Sequence, residues 1–162
     1  KFILYVGNAY PHKNLAILLQ ALHSMKTKHL VIVASITPYL TKLMHNLDSR
    51  TRKRLHILSS ITDQELGYLY KHSSALIAPS LMEGFGLPGL EALVMGTPVV
   101  ASDIPVFREV YGSSATYFDP SSAKDLVRAV GERSSLPFSY SRTWEIVASD
   151  IAEVIRESCT SL

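Results

Sequence analysis

The chain has 162 residues, which suits one ordinary domain with a core of its own. Its composition, with 47% hydrophobic and 19% charged residues, is typical of a globular protein, and a formal net charge of +2 is too small for an electrostatic footprint on nucleic acid. A single cysteine, Cys159, excludes an internal disulfide, and six histidines without an HxH or HxxxH pair predict that no metal is bound.

No apolar run approaches the ~18 residues needed to cross a membrane, and no signal peptide opens the chain. The densest basic patch, at Arg50, Arg52, Lys53 and Arg54, predicts a solvated helix end before a strand. Because Lys1 leads at once into an evident strand, we interpret the chain as cut from a longer protein. Together these features predict a protein of the reducing cytoplasm.

Short apolar runs rich in β-branched residues recur along the chain. Because they are apolar without alternation, they predict strands that are buried on both faces. The six predicted strands are Phe2–Val6, Leu30–Ala34, Leu55–Leu58, Ala75–Ala78, Val99–Ala101 and Thr116–Phe118.

Helical signals separate these strands. They are apolar residues at i, i+3, i+4 and i+7, a capping box, glycines at helix C-caps, and a serine that opens a helix three residues before an aspartate. The apolar spacing is found at Leu15, Leu18, Leu19 and Leu22. The capping box at Thr62–Glu65 opens a helix through His72, and the C-cap glycines are Gly96 and Gly112. Ser122 with Asp125 opens a helix through about Glu132.

The alternation of strand and helix predicts an α/β fold with a Rossmann-like, doubly wound parallel sheet of six strands. We expect this domain to span residues 1–133, followed by a connector at 134–142 and a C-terminal helix at 143–162. That helix should pack either on this domain or on an N-terminal domain outside the chain. In such a sheet, ligands bind beyond the carboxyl ends of the strands.

The stretch "GNAYPHKN" follows the first strand at that edge. Gly7 permits close approach of the backbone, and Pro11 fixes the loop before His12 and Lys13. A lysine at a helix start is disfavoured by the helix dipole. It is either a solvated loop residue or a cation that, with the helix amides, holds a bound anion.

The stretch "PSLMEGFGLPGLEAL" follows the fourth strand. Pro88 suits the first position of a helix, and Gly84 and Gly86 would leave amides uncovered for a pyrophosphate. Glu91 is then expected in the first helical turn, and Leu90, Leu93 and Val94 on its core face. The plainer alternatives are a dipole-complementing acid at Glu91 and a loop carboxylate at Glu83.

Gly84, Gly86 and Gly89 also spell G-x-G-x-x-G, the dinucleotide-binding fingerprint. That fingerprint belongs in a tight turn directly after a strand, usually the first of its unit. Here residues 79–83 intervene, and Glu83 would set a negative charge against the pyrophosphate without an obvious partner. The match is therefore interpreted as coincidental.

The acids Glu83 and Glu91 resemble the E-x7-E motif of retaining glycosyltransferases of the GT-B fold, in the large family 4 group, and specifically their C-terminal, donor-binding domain. The resemblance covers nearly the whole chain. It is carried by "YVGNAYPHKNLAILLQA", by "ITDQELGYLYKHSSALIAPSLMEGFGLPGLEALVMGTPVVASDIPVFREV" and by "ATYFDP".

The resemblance implies a role for each matching residue. Lys13 contacts the donor pyrophosphate together with amides near Gly86 and Leu87, and Glu91 accepts hydrogen bonds from the ribose hydroxyls. Glu83, with the amides of Phe85 and Gly86, contacts hydroxyls of the transferred sugar. The remaining donor-site positions are Gly7, His12, Gly84 and Ile61, the last against the base. Glu83 and Lys13 are the expected catalytic groups, and no metal or other cofactor is expected.

Two positions depart from the family pattern. Asn8 stands where many members have an arginine on the pyrophosphate, and His12 replaces the arginine of the "PRKN" variant. The second cation of the site is therefore weak or absent.

The resemblance implies transfer of a hexose from a GDP- or UDP-sugar to an acceptor hydroxyl with retention of configuration. "PHKN" favours GDP-mannose and the assembly of surface polysaccharide. The acceptor, a glycan or a lipid-linked sugar, and the catalytic histidine belong to an N-terminal domain. That domain would bring the protein to the inner face of the membrane, and without it this chain should be inactive.

Other functions stay open. They are, in order, a non-catalytic nucleotide-sugar-binding or regulatory module, a sugar-nucleotide epimerase or a pyridoxal-phosphate-dependent phosphorylase of the same fold, and an NAD-dependent oxidoreductase. The phosphorylase would require a lysine motif that is not evident.

Overall fold

The structure, a computed structural model, describes residues 2–133. The predicted connector at 134–142 and the predicted helix at 143–162 lie outside the described residues. The strands are β1 Phe2–Val6, β2 His29–Val33, β3 Leu55–Leu58, β4 Leu76–Ala78, β5 Val99–Ser102 and β6 Ala115–Phe118. The helices are α1 Leu15–Ser24, α2 Pro38–His45, α3 Ser49–Arg52, α4 Asp63–His72, α5 Leu87–Val94, α6 Pro105–Tyr111 and α7 Ala123–Glu132, with 3-10 turns at Pro11–Lys13 and Gly112–Ser114.

In the described part of the chain the six strands form one parallel sheet in the order β3-β2-β1-β4-β5-β6. The predicted α/β class and the parallel, doubly wound sheet are confirmed, and each predicted strand agrees with the structure to within one residue at its ends. The chain moves outward from β1 to β3, returns to the centre at β4 and moves outward again to β6. Helices therefore cover both faces of the sheet.

A hydrophobic core lies on each face. On one face α1, α2 and α7 pack on the sheet through buried residues such as Leu18, Leu40 and Leu126. On the other face α4, α5 and α6 do so through Tyr70, Leu93 and the aromatic pair of α6, Phe107 and Tyr111. Burial from both sides explains why the strands are apolar without alternation.

The predicted starts of α4 and α7 and the predicted glycine caps of α5 and α6 are confirmed. Thr62 and Glu65 form a reciprocal capping box at the start of α4, and the Ser122 hydroxyl accepts from the Asp125 N–H at the start of α7. Gly96 follows the C-cap of α5 with φ +75°, and Gly112 is the C-cap of α6 with φ +53°. A helix end needs a positive φ where it reverses, and glycine adopts one without strain.

The sequence interpretation placed Val94 and Arg54 wrongly with respect to burial. Val94 was expected on the core face of α5 but is 68% exposed. The face of α5 that packs on the sheet carries Gly89, Ala92 and Leu93 instead. Arg54 is buried instead of solvated, because its guanidinium donates to the carbonyls of Met25 and Lys28 and so ties the turn before β2 to the end of α3. A buried arginine is tolerated where carbonyl oxygens satisfy its donors.

No helix between residues 2 and 133 combines the length and the apolar character that a membrane crossing requires.

The capping box of α4 yields a stability prediction. Thr62→Ala should lower the free energy of unfolding by about 1 kcal/mol, because the Glu65 N–H loses its acceptor. Hydrogen bonds from the N–H and hydroxyl of Thr62 lower the pKa of Glu65. The contribution of that carboxylate is therefore present above its unfolded pKa of about 4.3 and is lost as the pH falls through the folded value. Urea unfolding at pH 7 and pH 3 measures both effects.

Thr41→Ala is the matched control. The Thr41 hydroxyl is exposed and donates to the carbonyl of Thr37, the N-cap of its own helix, so its loss should change stability by less than about 0.5 kcal/mol. Equal losses for the two variants would contradict the role of the cap.

Candidate functional site

β1 and β4 lie side by side at the centre of the sheet, where the chain changes its direction of travel across the strands. The loops that follow them meet at the carboxyl edge, and the Leu81 N–H donates to the His12 carbonyl at 2.8 Å. A cavity of about 260 Å³ opens between the two loops and is closed on one side by α6. Ligands of doubly wound sheets bind at such a switch point, because the loops there diverge to opposite faces.

An ion pair joins the two loops. Lys13 Nζ donates to Glu83 Oε1 at 2.6 Å, and both side chains are less than one fifth exposed. The Ser80 hydroxyl donates to the same oxygen at 2.9 Å. The objection that Glu83 would stand without a partner is therefore wrong, because Lys13 neutralises it. The G-x-G-x-x-G stretch is still separated from β4 by the segment from Pro79 to Glu83, so it does not have the geometry of the dinucleotide fingerprint.

The start of α5 forms one wall of the cavity. Gly86 is its N-cap in the left-handed conformation, with φ 84° and ψ 42°, and the helix begins at Leu87. The sequence predicted Pro88 as the first helical residue. Because the helix begins at Leu87, Pro88 is the second. Gly89 and Leu90 donate to the Gly86 carbonyl. Because Pro88 has no N–H, the groups that this helix start can offer a ligand are the N–H groups of Gly86 and Leu87.

Glu91 lies farther along α5 than its motif suggested. It is the fifth residue of the helix, in the second turn and not the first, because Gly86 takes the cap position. The Tyr70 hydroxyl, at the end of α4, donates to Glu91 Oε2 at 2.7 Å. Burial and this bond to a carboxylate raise the pKa of Tyr70, so the hydroxyl remains a donor. One Glu91 oxygen is thus held in place.

Two other buried tyrosines, Tyr5 and Tyr111, line the cavity itself. The Tyr5 hydroxyl donates to the Asn8 carbonyl at 2.7 Å, and the Tyr111 hydroxyl donates to the Gly86 carbonyl at 2.6 Å. Burial raises the pKa of both hydroxyls, and the negative charge of Glu83 raises it further. Each tyrosine supports one of the two loops. Sequence reasoning missed Tyr5, Tyr70, Ser80 and Tyr111. Tyr5 stands in the apolar run of β1 and was taken as one more strand residue, and the other three are identified only by the hydrogen bonds that they make in the folded chain.

The structure brings together only part of the predicted site. Of the predicted residues, those that line the cavity are Gly7, Lys13, Glu83, Phe85, Gly86 and Leu87. The ones that do not line it are His12, Ile61, Gly84 and Glu91. His12 contributes its backbone carbonyl to the loop contact, while its exposed ring stacks near Tyr10. Ile61 follows β3, which β2 separates from β1.

Between residues 2 and 133 no group of three or more His, Cys, Asp or Glu side chains is placed to hold a metal ion. The cation Lys13 and the N–H groups at the start of α5, all in the cavity lining, suit an anionic ligand.

The family model for glycosyl transferases group 1 matches residues 1–142. The chain belongs to this family. This group 1 glycosyltransferase chain is 35% identical over 149 residues to the O-antigen chain mannosyltransferase RfbU of Salmonella typhimurium, a match that covers 91% of this chain and 42% of the relative. The chain thus spans less than half the length of that relative.

Solved glycosyltransferase structures share the fold. The sucrose-phosphate synthase of Thermosynechococcus elongatus superposes with a TM-score of 0.77 at 21% identity, over 99% of this chain and 46% of that one. The C-terminal domain of the group 1 glycosyl transferase LpcC of Francisella tularensis superposes with a TM-score of 0.69 at 19% identity, over 82% of this chain and 74% of that one.

The glycines of this group 1 chain should respond differently to an added methyl group. A Cβ at Gly89 would lie 2.3 Å from the Tyr111 hydroxyl oxygen and 2.4 Å from the ring carbon that bears it. Gly89→Ala should therefore lower the free energy of unfolding by about 1–3 kcal/mol through overpacking. Thermal or urea unfolding measures the loss.

Gly84→Ala is the matched control in the same motif. A Cβ there meets nothing within 4 Å, and the backbone does not have a positive φ. Stability should stay within about 0.5 kcal/mol of the wild-type value. A loss at residue 84 as large as that at residue 89 would contradict the packing described.

Proposed function

We propose that this chain is the donor-binding half of a retaining glycosyltransferase. The enzyme transfers a hexose, mannose, from a nucleoside diphosphate sugar to an acceptor hydroxyl. The observation that carries the proposal is the convergence of Lys13 and the start of α5 on one cavity at the β1–β4 switch point. A cation and helix amides that face one cavity are suited to a diphosphate.

The diphosphate lies between Lys13 and the N–H groups of Gly86 and Leu87. During transfer the bond from the anomeric carbon to the diphosphate oxygen breaks, and negative charge accumulates on the leaving diphosphate. Donors fixed before the reaction stabilise that charge without reorganising. Lys13 and the helix start supply this stabilisation, so the proposal includes no metal ion or other cofactor.

The transferred sugar lies against Glu83, with the amides of Phe85 and Gly86 nearby. Lys13 and Ser80 both bond to Glu83 Oε1, which leaves Oε2 to accept from a sugar hydroxyl. Lys13 thereby acts twice, since it attracts the diphosphate and neutralises the carboxylate beside it. Without that neutralisation the two negative charges would repel each other.

The nucleoside lies on the other side of the diphosphate. Glu91, held by Tyr70, accepts from the ribose hydroxyls through its second oxygen, and Ile61 packs against the base. Gly7, His12 and Gly84 complete the donor site through backbone approach.

Similarity to an O-antigen chain mannosyltransferase supports mannose as the sugar. The proposal takes GDP as its carrier. The acceptor is a glycan or a lipid-linked sugar. It binds to an N-terminal domain of the full-length protein, which acts in the cytoplasm at the inner face of the membrane. The fold that this chain shares with the C-terminal domain of LpcC agrees with its being the C-terminal part of such a protein.

The first test concerns Lys13. In the full-length protein, Lys13→Ala should weaken GDP binding at least about tenfold, since a hydrogen bond to a charged group contributes roughly 1.5–3 kcal/mol. Guanosine binding should change less than about twofold. Calorimetric titration measures both, with UDP, ADP and NAD titrated in parallel to identify the nucleotide. Preferential binding of NAD would favour the oxidoreductase alternative.

Lys42→Ala, at an exposed lysine of α2, is the control and should leave both affinities unchanged. The double variant Lys13→Ala/Glu83→Gln separates the two actions of Lys13. If it recovers full GDP affinity, Lys13 only neutralises Glu83. If GDP and guanosine weaken equally in Lys13→Ala, the residue acts through folding.

The second test separates the two acids. Glu91→Ala should weaken GDP and GDP-mannose by similar factors, because both carry the ribose. Glu83→Ala should act mainly on the affinity difference between GDP-mannose and GDP and on the rate of transfer, because only the sugar contacts it. Binding titrations and transfer assays of the full-length variants measure these effects. The opposite assignment of the two acids would overturn the proposed geometry.

A further inference from the structure

Tyr111 is the last residue of α6 and lies beneath the loop between β4 and α5. It is 2% exposed, and its ring stacks on that of Phe107 with a centroid distance of 5.0 Å and an interplanar angle of 20°. Both rings line the cavity of the candidate donor site.

The Tyr111 hydroxyl donates to the Gly86 carbonyl at 2.6 Å. That carbonyl also accepts from Gly89 and Leu90, so it is the first acceptor of α5. One hydroxyl from another helix thus bonds to the peptide group at which α5 begins.

The surrounding glycines fit this tyrosine closely. A Cβ at either Gly86 or Gly89 would lie 2.3 Å from the hydroxyl oxygen, and one at Gly86 would also lie 2.6 Å from the Phe107 ring. A side chain at either position would therefore collide with the tyrosine. A bare packing contact would not require the bond to the carbonyl.

The peptide group that follows Gly86 carries both the Gly86 carbonyl and the Leu87 N–H. Because a trans peptide is planar, these two bonds point in opposite directions. A carbonyl held by Tyr111 therefore turns the Leu87 N–H away from Tyr111. The helix bonds from Gly89 and Leu90 reach this carbonyl at 3.1 and 3.4 Å, so the 2.6 Å bond from Tyr111 is the shortest of the three that hold the peptide group.

We propose that Tyr111 is a positioning residue for the donor diphosphate, because its bond to the Gly86 carbonyl aims the Leu87 N–H at the bound phosphate. This inference rests on the proposed function. Burial and the charge of Glu83 raise the pKa of Tyr111, so the hydroxyl stays protonated and donates throughout the physiological range.

The test compares two tyrosines in the full-length protein. Tyr111→Phe keeps the ring and removes the hydroxyl. It should weaken GDP binding by about five- to tenfold, which corresponds to one hydrogen bond, and change guanosine binding by less than about twofold. Tyr117→Phe is the matched control. The Tyr117 hydroxyl lies 3.0 Å from the Phe107 carbonyl in α6 and 2.7 Å from the carbonyl of Gly112, the C-cap of α6, and its single hydrogen is donated to one of them at a time. Tyr117→Phe should leave both affinities unchanged.

The outcomes are distinct. Unchanged GDP affinity in Tyr111→Phe, or an equal loss for GDP and guanosine, overturns the positioning role. An equal loss of GDP affinity in the two variants shows that α6 acts only by its stability and also overturns it. If the wild-type protein binds no nucleoside diphosphate, the proposed function itself has failed.

A measurement on the wild-type protein covers the case in which Tyr111→Phe does not fold. The Leu87 amide resonance should shift strongly when GDP is added and stay in place when guanosine is added. If the Leu87 amide resonance does not shift on addition of GDP, while Lys13→Ala still weakens GDP binding, the positioning role is overturned and the proposed function is left intact.

Discussion

β1 and β4 are neighbours at the centre of the sheet, with Leu4 opposite Leu76 and the Leu4 N–H bonded to the Ala75 carbonyl at 2.9 Å. Because both strands point the same way, the loops that follow them emerge side by side at the carboxyl edge. The ion pair between Lys13 and Glu83 is a consequence of this pairing and spans 70 residues of the chain. If β4 paired elsewhere in the sheet, the cation and the carboxylate would stand over different strands and no shared cavity would form.

The polar site is supported by aromatic packing beneath it. Phe107 and Tyr111 of α6 fill the space under the start of α5, and the glycines at positions 86 and 89 let the backbone approach them. Glycine in a helix is usually a cost in stability, since alanine is the better helix former. Here an alanine at residue 89 would collide with Tyr111. The glycines thus serve two purposes at two positions, close packing at residue 89 and a left-handed cap at residue 86.

The two acids of the motif are placed in different environments. Glu83 is on a loop, bonded to a cation and a serine hydroxyl in the lining of the cavity. Glu91 is on the helix and bonded to Tyr70 outside the cavity lining. In the proposed function this separation matches a ligand with a sugar at one end, a ribose at the other and a diphosphate between them. The separation of the two acids follows from the helix geometry, because Glu91 lies one turn beyond the start of α5.

Local and periodic features were readable in the sequence alone. Continuous apolar runs gave the strands to within a residue, the Thr62–Glu65 pattern gave the start of α4, and the E-x7-E stretch led to the family. Such features depend on neighbours in the chain and on burial from both faces, which composition and periodicity record. Tertiary structure alone decided the strand order, the partner of Glu83 and the bonds from Tyr70 and Tyr111, because each joins residues from separate elements. For the same reason Val94 and Arg54 were misplaced. Exposure depends on which neighbour covers a helix face or which carbonyls surround a guanidinium, and that is settled when the helices dock on the sheet.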